Sequence, residues 1–287
     1  MQTISGIHIS PQWDSLKMDK FSGTVMVIGS SDSGKSTFVQ WLVERLSRHH
    51  GRIGWIDGDI GQSILGVPTT MNLAVMDEPP VQLPRPQFTF FIGSNSPRDH
   101  MLPTLVGLKR LHDKGVSQGA NVVVVDTTGF VTEQSGGGHL KHWKIELLQP
   151  NNIIALQKEG ELDHIIGPLK RYSPHKLHIL PVAEAVQTRP LERRASRRRY
   201  LFRHYFQSAT KQTVPYSTLP VYGIRYSDRF SLMAFQGVEG FCLALGVVVN
   251  FTQDIMEILT PLSDLSKVKS IRFGSLRIDP VTGVEIY

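Results

Sequence analysis

The sequence predicts a parallel α/β sheet with helices on both faces, followed by a small all-β domain at the C-terminus. Three observations carry this. Short β-branched apolar runs alternate with segments of helical spacing over the first two hundred residues. A glycine-rich loop, GSSDSGKS at residues 29–36, joins one such run to one such helix. Beyond about residue 208 the texture changes to short alternating runs broken by Gly, Pro and Asp, an all-β pattern.

Taken in order, residues 1–22 are a lead-in without a clear period, in which Trp13 reads as a core residue. The run Gly-Thr-Val-Met-Val-Ile at 23–28 suits a strand buried on both faces. Phe38, Val39, Leu42, Val43 and Leu46 mark a helix over 36–50, which Gly51 closes. A second strand at 52–56 runs into DGDIGQ, residues 57–62. The proline-rich stretch 78–86 is loop, 88–92 a strand ending in GSNSP, and 102–114 a helix. Residues 121–126, Asn-Val-Val-Val-Val-Asp, give the strongest buried-strand signal. A helix over 139–148, a strand over 152–156 and a helix over 162–171 complete the α/β part. The expected domains are 1–22 as lead-in, 23–210 as the nucleotide-binding domain and 211–287 as the β-domain.

An apolar fraction of 40% and a charged fraction of 20% are those of a globular chain, so disordered and fibrous classes are excluded. No run approaches the roughly 18–20 apolar residues that a membrane span requires, and the N-terminus lacks the pattern of a signal peptide. Cys242 is the single cysteine, which excludes an intramolecular disulfide and a CxxC metal site. A cytoplasmic protein is expected, with no membrane partner. The net charge of +6 is local. Seven arginines (189, 193, 194, 197, 198, 199 and 203) face one acid, Glu192, so this short segment carries the whole excess. In helical geometry Arg189, Arg193 and Arg197, and Arg194 with Arg198, fall at i, i+4 spacing. Such a basic stripe attracts polyanions or closes over a phosphoryl group as a lid, expected at about 187–206.

The loop at 29–36 satisfies GxxxxGK[ST] in the strand–loop–helix context its mechanism requires. Gly29 and Gly34 let the backbone wrap a phosphate, and Ser31, Asp32, Ser33 and Thr37 complete the cradle at a helix N-terminus. Lys35 would reach the β- and γ-phosphates and the Ser36 hydroxyl would coordinate Mg²⁺. Asp59, at the end of the next strand, would face the same crevice, and Asp126 ends the valine-rich strand where an acid helps hold Mg²⁺. Lys141 and Lys144 read as surface lysines within reach of a substrate phosphate.

Together these blocks resemble the Clp1/Grc3/Nol9 family of polynucleotide 5′-hydroxyl kinases. GSSDSGKST at 29–37, DGDIGQ at 57–62, FIGSNSP at 91–97, DTTGF at 126–130 and the arginine run ending in Tyr205 and Phe206 occur in the family's order. Two C-terminal blocks, GFCLALG at 240–246 and LTP at 259–261, extend the resemblance to roughly 23–287. It implies a fold of the P-loop NTPase/kinase type and an enzyme that transfers the γ-phosphate of ATP, with other NTPs open as donors, to the 5′-OH end of RNA or DNA. Lys35 matches the catalytic lysine, Asp59 the carboxylate that activates the hydroxyl, and Arg189 and Arg194 the lid arginines. Ser36, Asp59 and Asp126 are the implied metal set. Thr127 and Gly129 match a clasp on the nucleic-acid end, and Gln62, Thr128, Phe130 and Arg198 complete the implied substrate contacts. Phe130 stands where eukaryotic members carry Trp, and the short lead-in suggests a compact, prokaryote-type member. Two alternatives remain open at this point: a P-loop ATPase or GTPase acting on a partner, and an ATP-holding RNA-binding scaffold.

Overall fold

The computed structural model describes residues 9–171, 174–188, 190–223, 228–252 and 255–286. The N-terminal sheet is built from β1 (Gly23–Gly29), β2 (Ile53–Gly58), β3 (Thr70–Met76), β4 (Phe88–Phe91), β5 (Val122–Thr127), β6 (Asn152–Gln157) and β7 (Lys176–Pro181), in the order β4-β3-β2-β5-β1-β6-β7. Pairing is parallel from β2 through β7, as expected for apolar strands buried on both faces. β3 and β4 depart from the expectation of a wholly parallel sheet: β3 lies antiparallel to both β2 and β4. The chain returns through residues 58–69 directly into β3 without a crossover helix, so the only neighbouring position it can take is antiparallel.

Helices cover both faces. A short α1 (Pro11–Asp14) and α2 (Lys35–His50) bury Trp13, Phe38, Trp41 and Leu42 against Val25, Val27, Trp55 and Val124. On the other face α3 (Met101–Ser117), α4 (Gly137–Leu148) and α5 (Asp163–Arg171) cover Met26, Ile28, Val123, Val125 and Ile153. Side chains alternate along a strand, so Asp57 and Asp126, two residues beyond Trp55 and Val124, share the α2 face. They are partners in the β2–β5 register. Residues 29–34, 58–66 and 127–136 therefore all leave the sheet at one edge, around the strands' C-terminal ends.

The last helix, α6 (Leu191–Phe206), leads into β8 (Thr210–Val214), β9 (Val221–Tyr222), β10 (Ser231–Gln236), β11 (Cys242–Phe251), β12 (Met256–Thr260), β13 (Ser270–Ile278) and β14 (Glu285–Ile286). These form a second sheet in the order β14-β13-β10-β11-β12-β8, with β9 pairing β13. Phe202 and Phe206 of α6 are buried with Leu232, Ala234, Leu245, Val247 and Ile278 of this sheet and with Phe91 of the first. The arginine-rich helix is thus anchored by its C-terminal half, and only its N-terminal half reaches the edge where these loops leave the first sheet. No helix among the described residues is long and apolar enough to cross a membrane.

Candidate functional site

Residues 29–34 turn between β1 and α2 through two left-handed positions, Asp32 at φ 56° and Gly34 at φ 80°. Lys35 opens α2 and is buried, its Nζ donating to the Ser30 carbonyl at 2.5 Å and to Ser33 Oγ at 3.4 Å. Burial pulls the Lys35 ammonium below its usual range, while Asp126, Asp59 and Asp32 pull it back up. A loop whose lysine is satisfied only by the loop's own Ser30 carbonyl and Ser33 hydroxyl, at a helix N-terminus, is built to exchange those contacts for an anion.

The two acids of DGDIGQ divide the work. Asp57 is fully buried; its Oδ2 accepts from Ser63 Oγ (2.6 Å) and the backbone N–H groups of Ile64 (2.7 Å) and Leu65 (2.9 Å), while Oδ1 takes the Asp59 N–H at 3.2 Å. It fixes the loop that carries Asp59. Asp59 accepts the N–H groups of Gly61 (3.1 Å) and Gln62 (3.0 Å) on Oδ1 alone. Its side chain lines the crevice together with Gln62, Lys35 and Ser36.

Asp126 is also fully buried, and neither carboxylate oxygen has a hydrogen-bond partner of good geometry, although the Ser36 hydroxyl is near enough to favour the charged form. Burial and the neighbouring Asp57 push its pKa up to about 7. Two orphaned carboxylate oxygens beside a serine hydroxyl suit a hard divalent cation. Among the described residues no group of three or more His, Cys, Asp or Glu could hold a metal alone. The Asp126 carboxylate and the Ser36 hydroxyl are the protein oxygens that could hold such an ion.

The 127–130 segment is held from below. Thr127 is fully buried, and its hydroxyl donates to the Val27 carbonyl at 2.7 Å and accepts from Lys141 Nζ at 3.0 Å, contacts that fix the strand end from which the segment leaves. Lys141 also donates to the Thr128 carbonyl. Thr128, Gly129 and Phe130 do line the crevice. Gly129 lies against the phosphate loop so closely that a Cβ there would sit 2.6 Å from Ser31 Cα and 2.7 Å from Ser31 N. Gly129→Ala is expected to weaken binding of a non-hydrolysable ATP analogue by about tenfold, measured calorimetrically, since backbone cannot yield as a side chain can (about 1–3 kcal/mol of overpacking).

Lys141 and Lys144 overturn their reading as surface residues: both are 0% exposed. Their spacing on α4 turns them towards the sheet, beneath the crevice. Burial lowers the pKa of both, Lys144 to about 8, with Asp59 and Asp126 pulling it back up, and Lys144 Nζ has no hydrogen-bond partner. A lysine depressed from 10.5 costs stability fully below about pH 8, and the cost fades as pH rises towards 10.5. Lys144→Met is therefore expected to stabilise the ligand-free protein by about 3 kcal/mol at pH 7 (near 1.4 kcal/mol for each tenfold loss of proton affinity). Thermal melts from pH 7 to 10 check this, the variant's advantage shrinking above pH 8.

The arginines of α6 close the far side. Arg194 pairs with Asp32 of the phosphate loop at 2.5 Å. Arg198 pairs with Glu285 of β14 at 2.5 Å, and Glu285 also accepts from Asn95 Nδ2 at 2.9 Å. Arg198, expected on substrate, is thus engaged by a strand from the second sheet while lining the crevice. Arg189 lies outside the described residues. The open crevice has a volume of about 1380 Å³, room for more than one small ligand. Glu285 and Asn95 had no local signal: their roles arise only where the second sheet meets the first.

The family model described as mRNA cleavage and polyadenylation factor CLP1 P-loop matches residues 29–208. The chain belongs to this family. Its curated relatives include a polyribonucleotide 5′-hydroxyl-kinase of Thermococcus kodakarensis, 29% identical, with 89% of this chain and 88% of that one covered. A polyribonucleotide 5′-hydroxyl-kinase of Pyrococcus furiosus is 27% identical over 88% and 87%. The polyribonucleotide 5′-hydroxyl-kinase Clp1 of Danio rerio is 27% identical over 84% of this chain and 56% of its own. Among solved structures, Clp1p in complex with Pcf11p superposes with a TM-score of 0.69 at 15% identity, covering 93% of this chain and 77% of that one. The α/β layer with its appended β-sheet is therefore the family's fold.

Proposed function

We propose that this chain is an ATP-dependent polynucleotide 5′-hydroxyl kinase that acts on RNA. The observation that carries the reading is the convergence of Lys35, Ser36, Asp59 and Arg194 on one cavity spacious enough for donor and acceptor together. The names of the archaeal relatives, which cover nearly the whole chain, support the substrate class.

In this reading residues 29–37 cradle the triphosphate through their amides, and Lys35 Nζ leaves the Ser30 carbonyl for the β- and γ-phosphates. Ser36 and Asp126 would hold Mg²⁺, with Asp59 near it. When bound, the ion would supply positive charge that stabilises the phosphate oxygens during transfer. Asp59 accepts the proton of the 5′-hydroxyl, its geometry fixed by Asp57 through the Asp59 N–H. Arg194 stands opposite the loop; its exchange of Asp32 for a γ-phosphate oxygen would stabilise the loose transition state. Thr128, Gly129 and Phe130 grip the acceptor's end, with Phe130 as a stacking surface.

Matched RNA and DNA oligonucleotides bearing 5′-OH or 5′-phosphate ends, offered with ATP, GTP, CTP or UTP, test this. The expected products are 5′-phosphorylated RNA from 5′-OH ends only. Nucleotide hydrolysis that ignores every oligonucleotide would overturn the reading.

A further inference from the structure

The basic stripe of α6 does not end at the crevice. Arg193, Arg197, Tyr200 and His204 follow one another at four, three and four residues, so they share one helix face. Arg193 and Arg197 line the crevice. Tyr200 and His204 line a second groove of about 710 Å³, with Arg203 beside them and Leu259, Pro280 and Val281 across from them. The far wall is a tight turn pressed onto α6. Its Gly283, at φ 74°, approaches so closely that a Cβ would sit 2.0 Å from the Arg199 carbonyl oxygen and 2.8 Å from Arg203 N. The Asp279 side chain braces the turn by accepting from the N–H groups of Val281 (2.9 Å) and Thr282 (3.2 Å). The groove is therefore fixed rather than left by a loose loop. Tyr200 is 56% exposed, and its ring lies parallel to that of His204 with centroids 6.0 Å apart. Neither core packing nor the proposed reaction accounts for an exposed aromatic pair flanked by an arginine there.

We infer that this groove is a second nucleotide subsite. A base of a single-stranded polynucleotide stacks on Tyr200 against the apolar wall, and Arg203 meets a backbone phosphate. Charge complementarity supports that occupant, because the α6 segment holds the chain's whole positive excess. So does continuity: the seven steps from Arg197 to His204 span about 10 Å along the helix, leading directly away from the crevice. A splayed single strand is required, since a base paired in a duplex offers no face to the ring. The inference rests on the crevice being the acceptor site.

Fluorescence anisotropy with the full chain and 5′-OH RNAs of two and twelve nucleotides tests it, alongside phosphorylation of both. The dinucleotide reports on the crevice alone. The expected result is a twelve-mer bound on the order of tenfold more tightly than the dinucleotide. Most of that ratio should vanish in Tyr200→Ala and persist in Tyr200→Phe. In Arg203→Ala the salt dependence of twelve-mer binding should fall by about one phosphate contact. A wild-type affinity that is independent of length, or a ratio unchanged in Tyr200→Ala, would overturn the subsite even if both RNAs are phosphorylated. Length-dependent binding lost in Tyr200→Ala, with neither RNA phosphorylated, would uphold the subsite and overturn the kinase reading instead.

Discussion

Lys35→Met is expected to lower phosphoryl transfer by about a thousandfold or more without unfolding the protein, because one positive group aimed at developing charge accounts for roughly that much. The substitution keeps the length of the side chain and removes only the ammonium. Its loss leaves the Ser30 carbonyl without the lysine's hydrogen bond but also relieves the burial that depresses this amine. The opposing effects on stability should leave the melting temperature within a few degrees of the wild type. Initial rates with γ-labelled ATP, set beside thermal melts, separate the two contributions. A variant that keeps a tenth of the wild-type rate would remove Lys35 from the chemistry.

Asp59→Asn is expected to cost about 10²- to 10⁴-fold in kcat, the range for a positioned general base. The amide oxygen can still accept the Gly61 and Gln62 N–H groups, so the turn survives and only the charge is lost. Affinity for ATP should change little, because the phosphate loop is untouched. A rise in KM for ATP with kcat preserved would make Asp59 a nucleotide contact and leave the acceptor hydroxyl without its base.

Strands β1, β2, β4, β5 and β6, the loop at residues 29–37 and the placement of Asp59 and Asp126 were legible because each depends on local pattern, whereas the half-exposed edge strand β7 carried no such signal. A β-branched run must be buried, a glycine-rich loop must turn, and an acid at a strand end must face the edge where the loops gather. β3 was not legible. Its Thr70 and Asn72 break the continuous apolar run that marks the other buried strands, and their polar groups are satisfied by one another, by the Val67 carbonyl and by Ser63 and Thr89. The burial of Lys141 and Lys144 was hidden for a related reason. A lysine at helical spacing looks solvated until the residues above it are known to be the Thr127 and Thr128 oxygens and a cluster of acids. Thr127 itself was placed correctly on the strand end, but the alternation that turns Asp126 to the α2 face turns Thr127 away, towards α4. Contacts between α6 and the end of the second sheet, Arg198 with Glu285 and Gly283 with Arg199, join residues some 85 positions apart, and no window of sequence contains both partners.

The destination of the γ-phosphoryl group separates transfer from hydrolysis, and following that group tests the kinase reading most directly. The protein is incubated with γ-labelled ATP and a 5′-OH RNA, and the RNA is then digested to mononucleotides. The expected outcome is label in the nucleotide from the 5′ end alone, formed in step with ADP. Label recovered only as inorganic phosphate, at a rate indifferent to the RNA, would contradict the account.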